Sequence, residues 1–403
     1  MPHSVSDYTI CLNSHADRAA PYGRVQSDVL NDDAFAVARA TISAWPGYAT
    51  TPLVSLPGIA AAANVAALHY KNEASRFGLG SFKALGGAYA VWQVLARSAA
   101  ERGITPYDKE AFAKHAAGMT VTCATDGNHG RSVAWGAQTF GCRCVIFIHA
   151  TVSEGRKQEI EKYGAEVVRC AGNYDDSVRE AQATADREGW IVVSDTSYPG
   201  YTEIPKDVMQ GYELMAAEAI EQWPGSTPPT HVFLQTGVGG MAAAVAAQFW
   251  RKFGADRPTI VLADPLNSAC WLETIKAGEP TVVHGDLDTL MAGLACGEIS
   301  ALAWRILEQA ADAVIGISDE AAVEGMKLLA EGRYNDPPLV AGESAVAGLM
   351  GLVVVADDAD ARGKLGLDAT SRVLVFATEG ATDEAVYTDL VGKTPAEVEA
   401  GAA

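Results

Sequence analysis

Three short stretches set chemically able residues beside glycines. ATDGNHGRSVAWGA (residues 124–137) carries Thr125, Asp126, Asn128 and His129 in a loop between an apolar run and a helix-like one. LQTGVGGMAA places Gly237, Val238, Gly239 and Gly240 directly after an apolar run. GLGSFKALGG sets Lys83 at the head of an apolar helix, Ala84 to Leu95. In TGVGG the backbone N–H groups can turn toward an anion, and the following helix adds its positive end. No GKS or GKT follows, so it is not a Walker loop, and the GxGxxG spacing of a nicotinamide site is absent. Alone, TGVGG also reads as a bare strand–helix turn, and Lys83 as a snorkelling surface lysine.

Taken together, the three point to pyridoxal phosphate (PLP). Lys83 would form the Schiff base, TGVGG would hold the phosphate, and Asn128 would hydrogen-bond the 3′ oxygen of the ring. PLP then serves as an electron sink for a carbanion at Cα. Asp126 is the anomaly, since a loop suited to an anion carries its own carboxylate. It reads either as an Asx-turn residue or as a catalytic group.

The elements that must position these residues alternate between strand and helix. Expected strands are 120–124, 143–150, 166–171 and 190–195, with helices to Phe140, over 153–163 and over 174–189. A second set follows, with strands 231–235, 259–263, 313–317 and 372–377. Apolar β-branched runs alternating with helices imply parallel sheets covered on both faces. The fold class is α/β, with two doubly wound domains and ligands in the crevice beyond the C-terminal strand ends. TDGNHG, TGVGG and TEGATD (378–383) all follow apolar strands. Residues 1–87 with 200–403 are expected to form the larger, PLP-binding domain and 88–199 the smaller.

At 403 residues the chain has room for two domains of about 150 residues each. Its 30 basic and 50 acidic residues leave a charge of −20, which repels phosphate backbones and argues against a nucleic-acid partner. No apolar stretch approaches a membrane span, and the N-terminus lacks the apolar core of a signal peptide. Seven scattered cysteines without CxxC spacing form neither a disulfide framework nor a metal site. A cytoplasmic protein without membrane or metal is expected.

RFGLGSFKALGGAYA, ATDGNHGRSVAWGA, SDTSYPGYTEIPKDVMQGY, LQTGVGGMAA, MAGLACGEIS and FATEGATD span residues 76 to 383. In these the chain resembles the fold type II PLP-dependent enzymes, the tryptophan synthase β-like family, and within it the diaminopropionate ammonia-lyases. The resemblance implies an active site in the interdomain cleft and a homodimer. It makes Lys83 the PLP lysine and a base at Cα, and gives Asn128 and Gly237 to Gly240 to the cofactor. Thr378 would face the pyridine nitrogen, and the loop Thr125 to His129 would receive the substrate carboxylate. Asp126 becomes the base for the D enantiomer, on the face opposite Lys83, and Asp195 the partner of the substrate's distal ammonium.

His129 and Asp195 also read as structural groups, a loop anchor and a turn cap. Glu343 in AGESA stands where relatives carry an acidic residue, and no role follows from that. Cys270 and Cys296 match a cysteine pair of the subfamily, as a bridge or as two thiols, the thiol form being expected in a reducing cytosol. Departures from the family pattern are Ser132, where glycine is usual, and Thr196-Ser197-Tyr198.

The expected reaction is PLP-dependent α,β-elimination of D- and L-2,3-diaminopropionate to pyruvate and ammonia, on a small amino-acid substrate. The alternatives are a dehydratase for serine, threonine or a hydroxyaspartate, and a non-catalytic PLP-binding protein. Acidic neighbours for a cationic leaving group separate the first from the dehydratases.

Overall fold

The computed structural model describes residues 7–125, 127–172 and 174–401. Asp126, the loop carboxylate, lies outside the described residues. Among the described residues, eleven strands run in chain order as β1 (Tyr8–Leu12), β2 (Leu53–Ser55), β3 (Ala67–Asn72), β4 (Thr120–Ala124), β5 (Arg143–Ile148) and β6 (Glu166–Arg169). They continue as β7 (Ile191–Val192), β8 (His231–Gln235), β9 (Thr259–Pro265), β10 (Ala313–Ile317) and β11 (Arg372–Ala377). The chain divides into two compact units, one of residues 1–32, 49–81 and 213–403, the other of 33–48 and 82–212.

The first unit holds a seven-stranded sheet in the order β1-β10-β9-β8-β11-β3-β2. Its five inner strands are mutually parallel, while β1 and β2 run antiparallel along the two edges. β8 and β10 are buried at every residue, the pattern of parallel strands covered on both faces. The second unit holds four parallel strands in the order β6-β5-β4-β7. There the helices Ala84–Ala100 and Asn128–Phe140 pack against each other.

Periodicity does not predict β1, β2 or β3. β1 is a half-exposed edge strand, and β2 has only three residues. In β3, Lys71 imitates a surface position yet is fully buried, because Nζ donates to Glu218 Oε2 at 2.7 Å and to the Thr51 carbonyl at 2.8 Å. Arg76 shares that buried carboxylate and also pairs with Glu73, anchoring the start of the segment that leads to Lys83. Burial of such charges is tolerated only when each is paired and hydrogen-bonded.

β7 is shorter than the expected 190–195. Beyond it, Val193 N–H still reaches the Thr122 carbonyl, but the Tyr201 hydroxyl donates to the Val192 carbonyl and accepts from Ser194 N–H. A side chain thus replaces the strand ladder just before Asp195. No helix among the described residues is long and apolar enough to cross a membrane. Nor do the described residues contain a His, Cys, Asp and Glu cluster able to hold a metal ion.

Candidate active site

In the second unit, Lys83 sits at the N-terminal end of the helix Ala84–Ala100. Its Nζ donates to Asp195 Oδ2 at 2.5 Å, with both side chains about four-fifths buried (19% and 21% exposed). The Phe82 and Tyr212 rings lie beside it, with centroids 5.5 and 5.9 Å from Nζ, within cation–π reach. Burial alone would raise the Asp195 carboxyl. The charges of Lys83 and His129 and the Lys83 hydrogen bond outweigh burial and hold it well below the usual carboxylate range. Asp195 is therefore an ionised ammonium partner.

His129 joins the same group. Its Nε2 lies 2.8 Å from the Val193 carbonyl, and Nδ1 lies 3.7 Å from Asp195 Oδ2. A carbonyl only accepts, so Nε2 carries a proton. His129 thereby ties the start of its helix to the segment that ends at Asp195, and acts as a positioning group. Ser132 Oγ donates to the His129 carbonyl at 2.7 Å, which gives that departure from the family pattern a local function.

Asn128 opens the helix Asn128–Phe140. Arg131 Nη2 donates to its Oδ1 at 2.5 Å. A guanidinium only donates, so this contact fixes the amide's orientation and leaves Nδ2 as the donor side. A phenolic oxygen such as the 3′ oxygen of PLP requires that polarity. Thr125 Oγ1 accepts from Gly127 N–H at 3.1 Å and Gly130 N–H at 3.2 Å, so its hydroxyl shapes the loop from within.

In the first unit, Gly237 to Gly240 join β8 to the fourteen-residue helix Gly240–Phe253. Gly239 has φ +93°, and a Cβ there would stand 2.2 Å from Trp271 Cζ2. Only glycine fits that position, and Trp271 Nε1 further pins the loop through the Gly237 carbonyl at 3.0 Å. The result is a backbone cradle on a helix N-terminus, the geometry that receives phosphate. Cys270 and Cys296 are both reduced thiols. Each borders this loop, Cys270 Sγ at 3.5 Å from the Gly237 carbonyl and Cys296 Sγ at 3.1 Å from where a Gly237 Cβ would stand.

Asp264, at the end of β9, supports the cradle from beneath. It accepts from Trp271 N–H at 2.8 Å, from Leu272 N–H at 3.0 Å and from the hydroxyl of Thr236. Burial pushes its carboxyl up to about 7 against those hydrogen bonds. Thr378 follows β11, the parallel neighbour of β8, and its Oγ1 accepts from Gln235 Nε2 at 2.8 Å.

These groups fit PLP. The cradle offers backbone donors where side chains are excluded, Asn128 presents an amide donor, Thr378 a hydroxyl and Lys83 an amine. Lys83, His129 and Asp195 are brought together in one unit, and the glycine loop and Thr378 lie on adjacent strand ends of the other. Residue types alone overlook Arg131, Trp271, Asp264 and Gln235. For Gln235 and Asp264 a signal exists, a polar residue closing an otherwise apolar strand.

Residues 44–379 match the family described as pyridoxal-phosphate dependent enzyme. The diaminopropionate ammonia-lyase of Salmonella typhimurium is 38% identical over 362 residues, covering 86% of this chain and 89% of that one. Two solved structures of the Escherichia coli diaminopropionate ammonia-lyase are also similar. The one in complex with D-serine superposes with a TM-score of 0.85 at 34% identity, covering 96% of this chain and 98% of that chain. The one in complex with an aminoacrylate-PLP azomethine reaction intermediate gives 0.85 at 35% identity over the same shares.

Proposed function

We propose a reaction for this chain from its family as the premise: it belongs to the pyridoxal-phosphate dependent enzymes, in the diaminopropionate ammonia-lyase group. The reaction is α,β-elimination of 2,3-diaminopropionate, as both D and L isomers, to pyruvate and two ammonia. The observation that carries it is the ionised Asp195 held 2.5 Å from the Lys83 ammonium, a carboxylate already adapted to a cationic nitrogen.

Lys83 is the attachment point of the cofactor. Gly237, Val238, Gly239 and Gly240 hold its phosphate, Thr378 meets its ring nitrogen, and Asn128 meets its 3′ oxygen. Bound PLP supplies an electron sink for the charge that develops at Cα. Once displaced by the substrate's α-amine, the Lys83 amine removes the Cα proton of the L isomer. Asp126 removes it from the D isomer on the opposite face. Backbone groups of the loop from Thr125 to His129 receive the substrate carboxylate.

Asp195 binds the β-ammonium. With its charge engaged there, Asp195 no longer favours protonation of the displaced Lys83 amine, which stays available as the base. The β-nitrogen is already protonated when its bond to Cβ breaks, and it leaves as neutral ammonia without a separate acid. Released aminoacrylate then hydrolyses to pyruvate and the second ammonia.

The enzyme acts as a cytoplasmic homodimer, as expected from the resemblance and from the composition. The function is tested by pyruvate release from both isomers of diaminopropionate beside serine and threonine. Release from the hydroxy amino acids alone would move the assignment to a dehydratase.

A further inference from the structure

We infer that Gln235 fixes the direction of the Thr378 hydroxyl hydrogen bond and thereby holds the ring nitrogen of bound PLP in its unprotonated form. The inference rests on the assignment of Thr378 to that nitrogen and deepens it.

The amide of Gln235 is 2% exposed, at the end of β8. Its Nε2 faces three acceptors, the Phe376 carbonyl at 2.8 Å, the Thr378 Oγ1 at 2.8 Å and the Ala345 carbonyl at 3.3 Å. Two of these are carbonyls, which only accept, so the nitrogen and not the oxygen of the amide must lie on this side. Its two protons go to the two nearer acceptors, Phe376 and Thr378. Thr378 Oγ1 is thus an acceptor toward Gln235, and its own proton must point elsewhere.

Thr378 is itself 4% exposed, and among the described residues it has no other side-chain hydrogen-bond partner. A buried hydroxyl proton without an acceptor costs the full desolvation of that donor. The lone pair of a pyridine nitrogen relieves this cost, whereas a pyridinium N–H would demand a second acceptance by Oγ1 and leave the hydroxyl proton stranded. Gln235 is therefore a positioning residue that tunes the electron sink through Thr378. The arrangement depends on strand pairing. β8 and β11 are adjacent and parallel, so the last residue of one strand reaches the residue that follows the other.

The test is ¹⁵N NMR of the holoenzyme loaded with PLP labelled at the ring nitrogen. In the native chain the resonance is expected at the unprotonated position across neutral pH. Gln235→Glu replaces the donor with an acceptor, so the Thr378 hydroxyl turns toward the carboxylate and presents its lone pair to the ring. The resonance should then move toward the protonated position. Gln235→Met, which removes the donor without adding charge, should make the resonance respond to pH and covers the case in which the glutamate variant does not fold. A native resonance at the protonated position, or both variants unchanged from the native one, overturns the inference. Thr378→Val separates the levels. If it leaves the resonance unmoved, the assignment of Thr378 itself fails; if it moves the resonance while the Gln235 variants do not, only the role of Gln235 fails.

Discussion

Lys83 Nζ and Asp195 Oδ2 lie 2.5 Å apart, so the amine proposed to carry the cofactor rests against the carboxylate proposed to bind the substrate's second ammonium. On this proposal one anion serves two cations, Lys83 before the cofactor is attached and the substrate's β-ammonium afterwards. The pairing explains why a lysine at the head of an apolar helix stays mostly buried, and why Asp195 stays ionised despite its own burial. His129 and Tyr201 hold the segment before Asp195 by bonding the carbonyls of Val193 and Val192.

Asp195→Asn should therefore act on the substrate that carries a β-ammonium more than on one that carries a hydroxyl. Loss of a partly buried charge pair costs about 2 kcal/mol or more, roughly thirtyfold in kcat/KM for diaminopropionate. Turnover of D-serine should fall by much less. Equal losses on the two substrates would show that Asp195 serves the scaffold and not the leaving group.

Asp126 is assigned by stereochemistry. A base on one side of the cofactor plane takes the Cα proton of one enantiomer only, so Asp126→Asn should abolish turnover of D-diaminopropionate and spare most of that of the L isomer. The expected loss on the D isomer is roughly a hundredfold or more, the usual worth of a positioned general base. Parallel kinetics on the two pure enantiomers decide it, and matching losses would return Asp126 to a role in the loop.

Asp264 supplies a pH signature beneath the glycine loop Gly237 to Gly240. Its carboxyl is raised from an unfolded value of about 3.9 to about 7 in the folded chain. The folded state binds the extra proton between those values, so the stabilisation from this group is full below about pH 4 and is lost as pH rises through about 7. Asp264→Asn cannot titrate. Its unfolding free energy relative to the native chain should thus improve from pH 5 to pH 8, by an amount on the order of a few kcal/mol at most. A difference that stays constant over that range would place Asp264 at an ordinary carboxylate value.

Local chain chemistry made part of this site legible. TGVGG encodes its turn within five residues, and Lys83 and Asn128 stand at the heads of helices whose apolar character is plain in the sequence. Inner strands such as HVFLQ and AVIGI show because burial on both faces leaves a continuous apolar run. What stayed hidden depends on partners distant in sequence. Lys71 disguises β3 because its neutralising Glu218 lies 147 residues away. Gln235 acquires meaning only beside Thr378, 143 residues on, once β8 and β11 pair. The shortness of β7 follows from a tyrosine hydroxyl that competes for its backbone, which apolar patterning does not register.

The proposed enzyme eliminates an amine, with a carboxylate reserved for that amine. The most direct measurement is kcat/KM for pyruvate formation by the PLP-loaded native chain, on D- and L-2,3-diaminopropionate against D- and L-serine and L-threonine. Both isomers of diaminopropionate should exceed every hydroxy amino acid by roughly a hundredfold, and Lys83→Ala should remove all of it. Serine or threonine turned over as well as diaminopropionate, or better, would contradict the account.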